Sequence, residues 1–234
     1  MFRGIAEAQG TQSDDVRKYL NHGVGRRLSI LKRSIEEIFE IFPPTRENTL
    51  SRDELTSVQI FLHAFVINLS GVFDNWAWAF VHRHDLLAEV GGALNVGVFK
   101  RRTQRFLSDA MQTYLKGSPV SDWHEQYAKN YRDALAHRIP LYVPPATWTD
   151  DDKAHYECLE AEKARLIAAQ DWDQLDVVWN EQDQIGAPCF VFMHEYSPDE
   201  NARPVVLHPQ VLCDGMTVVE FGNKFYDSWD VRSN

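Results

Sequence analysis

The chain has 234 residues, 44% hydrophobic and 12% aromatic, with a formal net charge of −10. That length and composition suit one large domain, or a domain plus an extension, around a sizeable core, and exclude a disordered chain. The three cysteines, Cys158, Cys189 and Cys213, are widely spaced and form no CxxC pair, which argues against a disulfide framework and for a reducing, cytoplasmic setting.

The opening "MFRGIAEAQGTQSDD" lacks a long apolar run, so no secretory leader is expected. A short helix is predicted over 12–22. In "GRRLSILKRSIEEIFEIF", Leu28, Leu31, Ile35, Ile38 and Phe42 recur at three- and four-residue steps, which predicts an amphipathic helix stopped by Pro43 and Pro44. Ser51 or Asp53 can cap the next helix. It carries Leu55, Val58, Leu62, Phe65, Leu69, Val72, Trp76 and Phe80, and some 30 residues at this spacing make a rod of about 45 Å, the spine of a bundle. Its part over 61–81 is long enough to span a membrane. His63, Asn68, Asp74 and Asn75 inside it favour a buried core helix and no membrane partner.

A glycine-containing loop, "EVGGALNVGVFKRR", leads to a helix over about 102–116, and Ser121 caps the following one. "PLYVPPATW" reads as an extended connector. A helix from Thr149 to about 169 holds Asp150, Asp151 and Asp152 in its first turn, where the dipole favours negative charge. Another helix covers about 171–185. "APCFVFMHEY" and "ARPVVLHP" predict two short strands joined by "SPDEN". A final helix starts near Pro209, although Gly215 and Gly222 weaken it. The fold expected is mainly α: an antiparallel helical bundle with a small C-terminal β-hairpin and a terminal helix. Residues 1–148 form the bundle. Residues 149–234 form an acidic helical segment, the hairpin and the last helix, packed on the same domain.

The acidity is local. Residues 150–200 carry 14 acidic and 3 basic side chains, a net of −11, which leaves the rest of the chain at +1. An acidic segment of this kind can mimic nucleic acid or cover a basic surface of the same protein or of a partner. The overall charge therefore does not by itself exclude a nucleic-acid partner for the first 149 residues.

"NYRDALAHRIPLYVPP" (130–145) ends a helix at Pro140. With that helix taken as 122–138 at about 100° per residue, Trp123, Tyr127, Tyr131, Ala134 and Leu135 form the core stripe. Lys129, Arg132, Asp133, Ala136 and His137 face outward. Arg132 and His137 lie about 140° apart and flank that open face. The dipole at the helix end and Asp133 one turn earlier favour the imidazolium form of His137. A histidine that titrates near neutrality moves protons, and a forked, permanently charged arginine suits a phosphate oxygen. The pair is chemically sufficient for metal-independent phosphodiester cleavage. Basic residues also gather at helix ends simply to meet carbonyls.

"YRDALAHRIP" resembles the R-x4-6-H signature of the HEPN superfamily (higher eukaryotes and prokaryotes nucleotide-binding domains). Arg132, Asp133 and His137 match its positions, with Asp133 where asparagine is frequent. The long preceding helix with "FDNWAWAFV" is also similar, and the resemblance spans roughly residues 25–145. It implies a metal- and cofactor-free ribonuclease acting on RNA, often a toxin or phage-defence effector with an antitoxin or defence partner protein. It implies a homodimer whose two motif helices share one cleft. His137 would then be the general acid/base, Arg132 would bind phosphate, and Asp133 would orient or tune them. Some members of that superfamily are inactive, so a non-catalytic helical binding module is the alternative, and a purely structural bundle is a third reading.

Asp74 and Asn75 on the long helix can orient Arg132 or His137, or simply hydrogen-bond within the bundle. Lys100, Arg101, Arg102 and Arg105 in "FKRRTQR" can hold RNA phosphates, or form a solvated face. His82 and His84, two apart on a helix, point to different faces and make no metal pair. "MHEYSP" lacks the second histidine of HExxH, and no P-loop, GxGxxG or nucleophile elbow occurs.

Overall fold

The structure, a computed structural model, describes residues 2–194, 203–231 and 233. Helix α1 (Phe2–Gly10) leads into a continuous helical run built of α2 (Asp14–Lys18), a π-helical segment (Tyr19–Gly25) and α3 (Arg26–Ile41). The two helices expected from the sequence are thus one. The Ser13 hydroxyl caps its start by accepting from the Val16 N–H, and the run stops before Pro43.

Helix α4 (Arg52–Arg83) is the spine. Ser51 and Glu54 cap it reciprocally: the Ser51 hydroxyl accepts from the Glu54 N–H at 3.4 Å, and the Glu54 carboxylate accepts from the Ser51 N–H at 2.9 Å. Arg46 grips the same carboxylate with two nitrogens at 2.9 and 2.8 Å, holding it down at about 2. By length and composition α4 is the one described helix able to cross a membrane. Its Leu62, Phe65, Leu69, Val72, Trp76 and Phe80 are instead buried in the chain's own core.

The helix expected over 102–116 is two, α5 (Arg101–Gln104) and α6 (Asp109–Lys116), and the break between them sinks Phe106 and Leu107 into the core. The motif helix starts at residue 118, earlier than expected, because Pro119 suits a first turn. Ser121 therefore lies inside it. The helix comprises α7 (Ser118–Trp123), a second π-helical segment (His124–Ala128) and α8 (Lys129–His137).

The connector 141–147 runs extended beside the hairpin. It is followed by α9 (Asp150–Ala169), capped by Thr149, and α10 (Trp172–Asp183), capped by Asp171. The hairpin pairs β1 (Val191–His194) with β2 (Arg203–Val206) antiparallel, Val191 opposite Val206 and His194 opposite Arg203. Its expected loop, "SPDEN", lies outside the described residues. Tyr142 bonds Met193 on the other edge of β1. Helix α11 (Leu207–Asp227) follows β2 directly and is unbroken at either glycine.

The molecule is a mainly α bundle with a small two-stranded sheet and a terminal helix. α4 packs against α3, α8 and α11, and Trp76 Nε1 donates to the Tyr226 hydroxyl at 3.0 Å in the centre. Phe221, Phe225 and Trp229 from the C-terminal end complete this same core. α9 and α10 instead share a small cluster of their own, Leu166, Leu175 and Val178.

Candidate functional site

A pocket of about 310 Å³ opens where α4, the loop before α5 and the motif helix meet. α4 contributes Asp74, the loop contributes Phe99 and Lys100, and the motif helix contributes His124, Lys129 and Arg132. Within one chain the structure therefore brings Arg132, Asp74 and Lys100 together. It does not add His137 to them: that residue is exposed at the end of α8 and does not line the pocket.

Asp133 is half-buried, and its carboxylate meets Arg132 Nε at 2.9 Å. It neutralises the arginine next to it. Among the described residues no hydrogen bond or ion pair joins it to His137.

The core stripe of the motif helix is Ala128, Tyr131 and Ala134, with Trp123 and Leu135 half-buried, while Tyr127 is 38% exposed. Projection at 100° per residue placed Tyr127 inward. The π segment inserts a wider turn, closed by the Lys129 N–H bonding the His124 carbonyl, and turns Ala128 to the core instead.

The same insertion sets His124 at the pocket. Its ring stacks on Phe99 with centroids 3.7 Å apart and planes at 12°, and its Nδ1 lies 3.3 Å from the Glu125 carboxylate. Burial pushes the imidazole below its ordinary range; Glu125 opposes the shift, and Lys129 and Arg132 add to it. Solvent reaches Asp74, yet enough chain surrounds its carboxyl that desolvation lifts it above the usual range, against the pull of Lys100, Arg132 and Arg27. Sequence reasoning missed His124. The signal available was its place eight residues before Arg132, about 80° away on a regular helix.

Asn75 does not orient Arg132 or His137. Its side-chain oxygen accepts from Arg27 Nε at 3.0 Å, and Asn68 accepts from Arg27 Nη1 at 3.1 Å. The Arg27 side chain lies across Gly71, where a Cβ would collide with the guanidinium. These amides tie α3 to α4, as the packing alternative expected.

The basic run is divided. Lys100 lines the pocket while donating to the Leu94 carbonyl at 2.8 Å. Arg101 is exposed. Arg102 folds against Gly91, and Arg105 donates to the Glu89 carbonyl at 2.6 Å and lies over Phe106. Arg102 and Arg105 therefore brace the preceding loop rather than extend the wall of the pocket.

The acidic helices do not cover this pocket. They sit at the opposite end of α4, where Arg52 pairs with Asp183 at 3.1 Å and stacks on Trp179. That is about 30 Å along the helix axis from Asp74. Among the described residues no group of three or more His, Cys, Asp or Glu side chains could hold a metal ion. His82 instead stacks against both Tyr19 and Trp78, which also stack on each other, and Cys158, Cys189 and Cys213 are free thiols.

Compared with known proteins, the chain matches no family model, no curated protein and no solved structure.

Proposed function

We propose that the protein is a metal-independent endoribonuclease of HEPN type, with an RNA phosphodiester as its substrate. The observation that carries this reading is the pocket that sets Arg132 beside Lys100 and Lys129, with an imidazole and a carboxyl on the same walls. Three cations match a phosphate, and titratable groups beside them match the two proton transfers of cleavage. In this reading Arg132 exchanges Asp133 for the phosphate and stabilises the charge on pentacoordinate phosphorus. His137, the acid/base assigned by the resemblance, stands on the exposed helix end and meets the pocket of a second copy in a homodimer. The toxin or phage-defence role, a partner protein and a cytoplasmic setting belong to the same proposal.

The test is incubation of purified protein with RNA in excess chelator, beside Arg132→Ala and His137→Ala. Cleavage that persists in chelator and falls at least ~100-fold in Arg132→Ala is the expected result. Equal background in wild type and Arg132→Ala sinks the enzyme reading.

One observation favours the alternative of a non-catalytic binding module. The Arg132–Asp133 pair leaves the arginine already neutralised and separate from His137. RNA binding that weakens in Arg132→Ala with no cleavage in any variant would select it.

A further inference from the structure

The Arg132 pocket holds an imidazole of its own. His124 is the first residue of the π-helical segment, and its side chain is 20% exposed. Stacking on Phe99 fixes the ring plane, and the Glu125 carboxylate beside Nδ1 directs the other nitrogen, Nε2, to exchange protons elsewhere. Nε2 has no hydrogen-bond partner among the described residues. Asp74 reaches the same pocket from α4, and its carboxyl likewise has no hydrogen bond or ion pair among them. A fixed imidazole and an uncommitted carboxyl thus share one cavity with Lys100, Lys129 and Arg132.

We propose that His124 and Asp74 are the proton-transfer pair of this pocket, acting on an RNA phosphodiester held by Arg132, Lys100 and Lys129. This rests on the ribonuclease reading and changes one part of it: His124 and Asp74 of a single protomer take the proton-transfer role in place of His137 from a second copy. His124 Nε2 takes the proton of the ribose 2′-hydroxyl as the 2′-oxygen bonds to phosphorus. The bond from phosphorus to the 5′-oxygen breaks, and that oxygen takes the carboxyl proton of Asp74. The products are a 2′,3′-cyclic phosphate and a 5′-hydroxyl, and exchange with water resets both groups.

The surroundings suit these roles. Burial favours the neutral, accepting form of the imidazole, and the partial desolvation of Asp74 by the chain around it enlarges the protonated, donating share of its carboxyl. The charged groups near the pair are Glu125, Lys129 and Arg132 on the motif helix, Lys100 on the loop and Arg27 on α3. All of these except Glu125 are cations, and Lys100, Arg132 and Arg27 limit rather than cause the rise at Asp74.

The test measures single-turnover cleavage of a labelled RNA in excess chelator between pH 5 and 9, for wild type, His124→Gln, Asp74→Asn and Arg132→Ala. Each of the first two variants is expected to lose about 100-fold or more, and each to flatten a different limb of the pH profile. A cyclic phosphate end is expected on the wild-type product, with no cleavage of a 2′-deoxy oligonucleotide. Wild-type rates and profiles in both His124→Gln and Asp74→Asn, with Arg132→Ala inactive, overturn the proposal and leave the ribonuclease reading standing. No cleavage by wild type overturns both. Thermal unfolding checks the fold of each variant. Should His124→Gln not fold, NMR titration of the wild-type His124 ring decides: its pKa must shift when the uncleavable 2′-deoxy oligonucleotide is added, and an unmoved titration overturns the proposal.

Discussion

Asp214 on α11 is 2% exposed and holds two elements together. One carboxylate oxygen accepts from Trp123 Nε1 at 2.7 Å and from Gln210 Nε2 at 2.8 Å. Burial pushes its carboxyl up to about 6 despite those two donors. An unfolded carboxyl titrates near 4, so between about pH 4 and 6 the folded chain keeps a proton that the unfolded chain has lost. This contribution to stability is fully present below pH 4. It declines as pH rises through the window, and above pH 6 the buried charge destabilises in full. Asp214→Asn keeps the acceptor oxygen and removes the titration. Urea unfolding at a series of pH values should show the variant gaining about 2–3 kcal/mol on wild type between pH 4 and 6. A difference that stays constant across the window refutes the assignment. Other groups titrate there too, including His194, which burial and then Arg203 push down to about 4, so the comparison must be with the single variant. Nothing in "VLCDGM" marks Asp214, because its environment is made by Trp123, 91 residues away in the chain.

At the scale of elements, the helices with clear periodicity and side-chain caps were legible: Ser51, Thr149 and the stop before Pro43 stand where the sequence put them. The π segments were not. A wider turn leaves the hydrophobic pattern almost unchanged over a few residues, so Tyr127 read as core when Ala128 is, and His124 passed unnoticed. Glycine was misread for a related reason, since propensity does not report what crosses the helix. A Cβ on Gly222 would stand 3.0 Å from Trp76 Cζ2, and Trp76 is enclosed by Phe73, Phe221 and Phe225. At Gly215 the neighbour is only the tip of Ile35, at 3.1 Å. Gly222→Val should therefore lower stability by about 2–3 kcal/mol through overpacking. Gly215→Ala should leave it unchanged or raise it by about 0.5–1 kcal/mol through helix propensity. Denaturant midpoints of the two variants against wild type check both, and equal losses at the two positions would refute the distinction.

At the scale of the whole molecule, two packing units differ in size. The main core runs from Ala8 to Trp229 and takes in α11, while α9 and α10 depend on three buried apolar residues supported by Leu159 and Trp179. The ends of that excursion meet: Thr147 and Ala187 exchange both backbone hydrogen bonds, at 2.8 and 3.0 Å. Replacing residues 149–185 with a short glycine turn removes 11 acidic and 3 basic side chains and brings the formal net charge from −10 to −2. Such a chain should fold with the helical signal of the remaining elements, and on the proposed ribonuclease reading RNA cleavage should persist in it, because the pocket lies at the other end of α4. Loss of cooperative unfolding would show that the excursion is needed for the core. The closed base also fixes how the protein opens. Amides of α9 and α10 can release their protons to deuterium while the Thr147–Ala187 bridge and α4 stay shut, so these two helices should exchange as a separate, weaker cooperative unit. The most protected amides should be those of α4 around Phe65 and Trp76, which exchange only when the whole chain unfolds.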